Sequence, residues 1–126
     1  MSLAHTATGR LFAAYLPAKV VEKMVAEDLN RQSGRSDGPL HMTRSQVEEA
    51  LIETRRQGLS RTLGQPIPGI DAFCAPVFDS GGHIALGITV MGPSATFDTE
   101  WNGSVARPLR ACAKEVSRLL GFVETT

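Results

Sequence analysis

The chain has 126 residues, 42% of them apolar, which is enough for one hydrophobic core and too little for several. Thirteen Lys and Arg balance thirteen Asp and Glu, so no basic excess draws the chain onto a phosphate backbone, and autonomous nucleic-acid binding is disfavoured. No apolar run approaches the roughly 20 residues that cross a bilayer and no signal-peptide pattern opens the chain, so the expectation is a cytoplasmic protein without a membrane partner.

From Leu11 to Val25 apolar residues recur at helical spacing, interrupted by Pro17, which starts a helix but does not continue one. Two short helices meeting at Leu16-Pro17 are predicted. The polar stretch Asn30 to Pro39 reads as a surface loop. Thr43-Arg44-Ser45-Gln46 matches a capping box and predicts a helix start. Val47, Ala50, Leu51 and Thr54 then mark one face, charged residues take the rest, and Gly58 suits the stop.

Leu59 to Leu63 is a weaker strand, and Gln65 to Gly69 is a loop because its prolines remove ladder donors. Ile70 to Phe78 and His83 to Met91 alternate with period two on either side of Asp79-Ser80-Gly81-Gly82, which is hairpin chemistry. A two-residue Ser80-Gly81 turn places Ala72 opposite Thr89, Cys74 opposite Gly87 and Ile70 opposite Met91. One face of the second strand then carries Ile84, Leu86, Ile88 and Val90, and the other the smaller Ala85, Gly87 and Thr89 with Met91. Pro76 argues for an edge or a bulge. The last segment, about Asp98 to Leu120, carries Trp101, Val105, Leu109, Cys112, Val116 and Leu119 at helical steps, with a bend or break near Gly103 to Pro108 and a stop at Gly121. The order of elements is that of an α+β fold with helices packed on an antiparallel sheet.

Candidate chemistry is sparse. Cys74 or Cys112 with His5, His41 or His83 is the sole nucleophile-base combination, and both thiols fall where cysteines serve as small buried hydrophobes. The histidines are scattered without metal-ligand spacing, and no phosphate-binding glycine motif is present, so neither metal nor cofactor is expected. The small strand face admits two readings. It lets a helix approach closely, or it forms a concave floor for a ligand, with Thr89 supplying a hydroxyl and Met91 an adaptable wall. His5-Thr6-Ala7-Thr8-Gly9 likewise is an ordinary helix start or a set of N–H groups presented to an anion.

Longer stretches resemble one family. His5 to Leu16 looks like the H-x-x-x-G-[KR]-x-x-L-A-x-L segment of the effector-binding domain of IclR-type bacterial transcription regulators, and Glu53 to Ser60 resembles its R-x-x-G-[YW]-[AS] turn into a strand. Pro68 to Asp79, Gly82, Ala85 to Pro93 and Leu109 to Gly121 follow the family in order and spacing. The resemblance implies a GAF-like or profilin-like antiparallel sheet with helices on its faces and a small-molecule pocket. Effector contacts carried over by position are Ala7 and Thr8, Thr62, Ile70 and Ala72, and Thr89 and Met91. It also implies a non-catalytic sensor whose ligand changes the oligomer arrangement and promoter affinity of a full regulator. The ligand implied is a small organic or aromatic acid, and the assembly a homodimer or tetramer. The alternative is a small enzyme using Cys74 or Asp71 in the same cleft. Thr62 stands where the family often has an acid, Gln65 where it has Glu, and Asp71 where a neutral or basic residue is frequent, so the site is less anionic than in many relatives. The 126 residues are expected to form a single, partial domain, without the winged helix-turn-helix and first strands that family members place before the His5 segment. DNA contact then belongs to that preceding module, and the apolar edge of the last strand invites self-association.

Overall fold

The computed structural model describes residues 6–17, 19–23, 26, 43–64 and 67–123. The loop expected at Asn30 to Pro39, together with His5, His41 and Gln65, lies outside them. Helix α1 spans Ala7–Tyr15, capped by Thr6, whose hydroxyl accepts the Gly9 N–H at 2.9 Å. It ends at Leu16, held extended as the residue before Pro17, and residues 19–23 are helical beyond it. Helix α2 spans Arg44–Gln57 behind the expected capping box: the Gln46 N–H donates to Thr43 Oγ1 at 3.2 Å and the Thr43 N–H to Gln46 Oε1 at 2.9 Å. It stops at Gly58, whose φ of 72° suits glycine. Val47, Leu51 and Thr54 are buried, with Val47 and Leu51 packed on Ala13 and Ala14 of α1.

Strands β1 (Ser60–Leu63), β2 (Ile70–Phe78) and β3 (Ile84–Pro93) form an antiparallel sheet in chain order. The expected hairpin register is displaced by two positions: Ala72 faces Met91, Cys74 faces Thr89 and Ile70 faces Pro93. The loop accounts for part of the shift. Asp79 and His83 close a three-residue connection in which the Gly82 N–H donates to Asp79 O and Gly82 takes a φ of 79°, the geometry of a type I turn followed by a left-handed residue. A bulge supplies the rest, since Phe78 pairs with Ile84 but Val77 with Leu86, leaving Ala85 as the extra residue. A shift of two preserves the faces beyond the bulge. Before it, Ile84 moves to the small-residue face, where it packs near Leu11 and Cys74.

β1 pairs only with residues 71–74, so Pro76 removes no bond on that side, and the neighbouring Phe78 N–H donates to Ser117 Oγ at 3.0 Å. Pro76 therefore marks an edge, while the bulge sits nearer the turn.

The closing helix α3 is Ala106–Leu119, shorter than expected. Pro108 falls in its first turn, where a missing N–H costs nothing. Residues before it are held by Asp98, which accepts from the Glu100 N–H and from the Ser104 N–H and hydroxyl. The stripe that faces the sheet is Ala106, Leu109, Ala113 and Ser117, and Cys112 and Leu119 fall beside it and are exposed, which corrects the expectation of a buried Cys112. α3 covers one sheet face, with Leu59, Phe73, Ala75 and Val77 against Ala106, Leu109 and Ala113. α1 covers the other, with Ala7 and Leu11 against Ala72 and Cys74. Edge strand β3 leaves Leu86, Val90 and Met91 exposed.

Candidate functional site

The alternation of β1 and β2 puts Ser60 and Thr62 on the same side as Ala72 and Cys74, because Ser60 pairs with Cys74 and Thr62 with Ala72. β3 adds Thr89 and Met91 through the pairs Cys74–Thr89 and Ala72–Met91. The first turn of α1 lies over this face. Ser60 Oγ donates to Ala7 O at 2.5 Å, and the Thr8 and Thr89 hydroxyls are 3.0 Å apart. Thr89 Oγ1 also donates to Cys74 Sγ at 3.2 Å. The residues implied by the family resemblance thus share one side of the sheet: Ala7 and Thr8 above, Thr62 and Ala72 buried below, Ile70 half-buried at the strand end, and Thr89 and Met91 exposed at the open edge. Ser60 belongs with them and was passed over. Its signal was simple, since it stands two residues before Thr62 in the same strand.

The two readings of the small face divide along it. A Cβ on Gly87 would lie 2.7 Å from Cys74 Sγ and 2.9 Å from Leu11 Cδ2, so close approach of α1 explains the glycine and the small Ala72 beside it. Thr89 and Met91 lie exposed at the open edge of β3, whereas Thr62 is sealed by the surrounding protein. Thr62 is 1% exposed and its Oγ1 is the one buried side-chain polar atom among the described residues without a hydrogen-bond partner. An unpaired buried hydroxyl costs about 1–3 kcal/mol. The amino end of α1 adds the positive end of the helix dipole.

The enzyme candidates fare differently. Burial pushes the Cys74 thiol up, against hydrogen bonds from Thr89 and Thr8, so the unreactive protonated form is favoured. The described histidine, His83, sits at the hairpin turn beside Asp79. Asp71 does not share the cleft with Cys74, as expected for the alternative, because strand alternation turns it to the opposite face. There it is a structural clip, accepting from the Gly64 N–H at 2.8 Å and from the Ser94 hydroxyl at 2.7 Å. No group of three His, Cys, Asp or Glu among the described residues is placed to hold a metal ion, and no described helix is long and apolar enough to cross a membrane.

Among the described residues, two clefts lie elsewhere and include none of the residues gathered beneath α1. One of about 980 Å³ follows the free edge of β2 past Tyr15, Phe78, Arg110 and Phe122. A smaller one of about 230 Å³ lies between α1, α2 and β1, walled by Arg10, Arg61 and Trp101.

Comparison with known proteins places this architecture. Residues 1–118 match the family model described as Bacterial transcriptional regulator IclR C-terminal. The chain is 30% identical over 122 residues to RhmR of Escherichia coli K12, an uncharacterised HTH-type transcriptional regulator, and covers 46% of that protein. The structure of HmgR from Pseudomonas aeruginosa superposes with a TM-score of 0.80 at 33% identity, over 99% of this chain and 47% of that one. The inducer-binding domain of PobR from Acinetobacter, solved as a double mutant with 3-hydroxybenzoic acid, shares the fold at a TM-score of 0.77 and 18% identity, over 93% of this chain and 68% of that one. The chain spans about half the length of RhmR and HmgR.

Proposed function

Because the chain belongs to the IclR family of bacterial transcriptional regulators, as their C-terminal domain, we propose that it is a non-catalytic effector-sensing domain that takes a small organic acid beneath the first turn of α1. The observation that carries this reading is the buried, unpaired hydroxyl of Thr62. It lies on the face that α1's amino end overhangs, and a bound acid would give it a partner. The wall offers hydroxyls from Thr8, Thr62 and Thr89, apolar surface from Ile70, Ala72 and Met91, and no charged side chain of its own. A carboxylate is then held by dipoles and N–H groups at the helix start, and the apolar wall receives the body of the acid. Asp71 being turned away keeps the face neutral, which favours an anionic ligand.

Ligand signalling in this reading is a matter of assembly. An effector shifts an equilibrium only by its differential affinity for two states. The apolar edge of β3, with Leu86, Val90 and Met91 exposed, is the surface offered for a homodimer or tetramer. Met91 also belongs to the proposed site, so occupancy and assembly meet at one strand. Promoter affinity of a full-length regulator follows through its DNA-binding part.

The test is a thermal-shift screen of organic acids, with 3-hydroxybenzoate among the probes. An acid at a hundred times its Kd stabilises by about 2.7 kcal/mol, which for a domain of this length is a rise of several degrees. T89W is expected to remove the shift and C74S to preserve it. A screen in which no acid shifts the wild type, or in which T89W responds like the wild type, overturns the reading.

A further inference from the structure

Helix α2 packs one side against the protein and leaves the other without a partner element. Val47, Leu51 and Thr54 are buried, whereas Ser45, Glu48, Glu49, Ile52, Arg55 and Arg56 are exposed. Those six recur at steps of three and four, so they form one stripe along the helix. Ile52 stands at its middle with 55% of its surface exposed. Two carboxylates precede it by four and three residues, and two guanidiniums follow it by three and four. Charge is therefore antisymmetric about Ile52.

Forces within one helix do not account for this order. The helix dipole favours acids in the first turn, yet that turn begins with Arg44 and holds no acid, and Glu48 and Glu49 lie beyond it, where the dipole has faded. Glu49 and Glu53 stand four residues apart, a like-charge spacing that opposes the helix. Glu49 has no hydrogen bond or ion pair among the described residues. Glu49 and Arg56 are seven residues apart, about 10 Å along the axis, and do not meet within one chain. The contacts that the other charges make are local: Arg44 Nε is 3.6 Å from Glu48 Oε1, Arg56 pairs with Glu53, and Arg55 donates to Ala14 O at 3.3 Å. Exposed pairs of this kind hold their partners weakly.

We propose that the exposed face of α2 is a contact between two copies of this chain, with the two helices antiparallel across a two-fold axis at Ile52. Helical geometry puts Glu48 and Arg55 on one flank of the stripe and Glu49 and Arg56 on the other. The two-fold then sets Glu48 beside the second copy's Arg55 and Glu49 beside the second copy's Arg56, each pair occurring twice, as an isologous contact requires. The two Ile52 side chains meet at the axis, and the opposed helix dipoles attract. α2 rests on α1 and β1, and β1 lies at the opposite edge of the sheet from β3. The contact therefore does not compete with the β3 edge for the same surface. One helix pair buries less than the roughly 800 Å² per partner of a standard interface, so the association is weak, and its charge pairs make it weaker still as salt rises.

Charge exchange tests the contact. E48R/E49R leaves only cations on the flanks of the stripe, and R55E/R56E only carboxylates. In sedimentation velocity at matched total concentration, each variant alone should self-associate through this face at least about tenfold more weakly than the wild type. An equimolar mixture should recover the association, because every cation then meets a carboxylate. Should either variant fail to fold, cross-linking gives a separate reading. In a C112S background, which removes the exposed thiol and keeps the buried Cys74, I52C oxidised with copper phenanthroline should yield a disulfide-linked dimer. Facing helices about 8–10 Å apart bring residues at the axis within disulfide range. S45C in the same background should not cross-link, since it lies about 20 Å from its mate. Assembly through the β3 edge alone would give neither the recovery on mixing nor the preference for position 52. A mixture no more associated than its components, or S45C cross-linking as readily as I52C, overturns the proposal.

Discussion

Gly87 is where the packing of α1 on the sheet can be tested with a single methyl group. A Cβ there would stand 2.7 Å from Cys74 Sγ and 2.9 Å from Leu11 Cδ2, both inside the closest approach of real Cβ atoms. Leu11 and Cys74 are each fully buried, and the thiol is held by Thr89, so neither neighbour moves without disturbing others. Overpacking of this kind costs about 1–3 kcal/mol. Replacing glycine in a strand returns roughly 0.4–1 kcal/mol through the unfolded chain. The net expectation for G87A is a loss of about 1–2 kcal/mol, or a fall of roughly 4–8 °C in Tm at this chain length. Urea denaturation followed by circular dichroism gives the free energy, and calorimetry the temperature. A double-mutant cycle with L11A sharpens the result. L11A alone should cost about 2–5 kcal/mol, and G87A/L11A should cost less than the sum by at least about 0.5 kcal/mol, since the methyl then enters space the leucine has left. If G87A is as stable as the wild type, or if the two substitutions add without coupling, α1 does not sit on the small face as described.

Thr62→Val removes the unpaired buried hydroxyl and keeps the shape, so it should raise stability by about 1 kcal/mol in the absence of effector while lowering the response to an acid, both read by thermal shift. Thiol titration with a chromogenic disulfide should label Cys112 quickly in the native chain and Cys74 only on unfolding, because Cys112 is exposed and Cys74 buried; rapid labelling of both contradicts the placement. Asp98 has a lowered carboxyl pKa, chiefly through the Ser104 N–H and then the Glu100 N–H, against an ordinary value of 3.8. Its contribution to stability is therefore complete above that value and lost as the pH falls through the lower folded one. D98N should flatten the acid limb of the stability profile in that window and leave neutral-pH behaviour of the remaining carboxylates unchanged.

Local chemistry was legible wherever a short segment decides its own conformation. The Thr43 capping box, the Gly58 stop and the edge position of Pro76 follow from backbone donors and allowed φ values, which depend on few neighbours. The hairpin was legible in existence but not in register. Asp79 to Gly82 supports both a two-residue and a three-residue loop, and the bulge at Ala85 leaves no signature in alternation. The start of α3 was misplaced because Trp101 and Val105 extend a helical period that Asp98 interrupts with three accepted hydrogen bonds, and a stripe drawn through Trp101 and Val105 includes Cys112 where the sheet-facing one passes through Ala106 and Ala113. At the candidate site, the resemblance named Ala7, Thr8, Thr62, Ile70, Ala72, Thr89 and Met91, and alternation put the four hairpin residues on one face, but the strand pairing and the position of α1 were needed to bring Thr62, Ala7 and Thr8 to it. The covering of Gly87 by Leu11, the alignment of Thr8, Thr89 and Cys74, and the meeting of Arg10 with Arg61 join residues far apart in the chain, and only the packed fold brings them together.

The most direct test of effector binding is a map of amide shifts in the ¹⁵N-labelled chain during titration with an acid that raises its Tm. The account predicts saturating shifts centred on Ala7, Thr8, Thr62 and Thr89, with Met91 at the margin. Shifts centred instead on the groove past Tyr15, Arg110 and Phe122, with the amides beneath α1 unmoved, would contradict it.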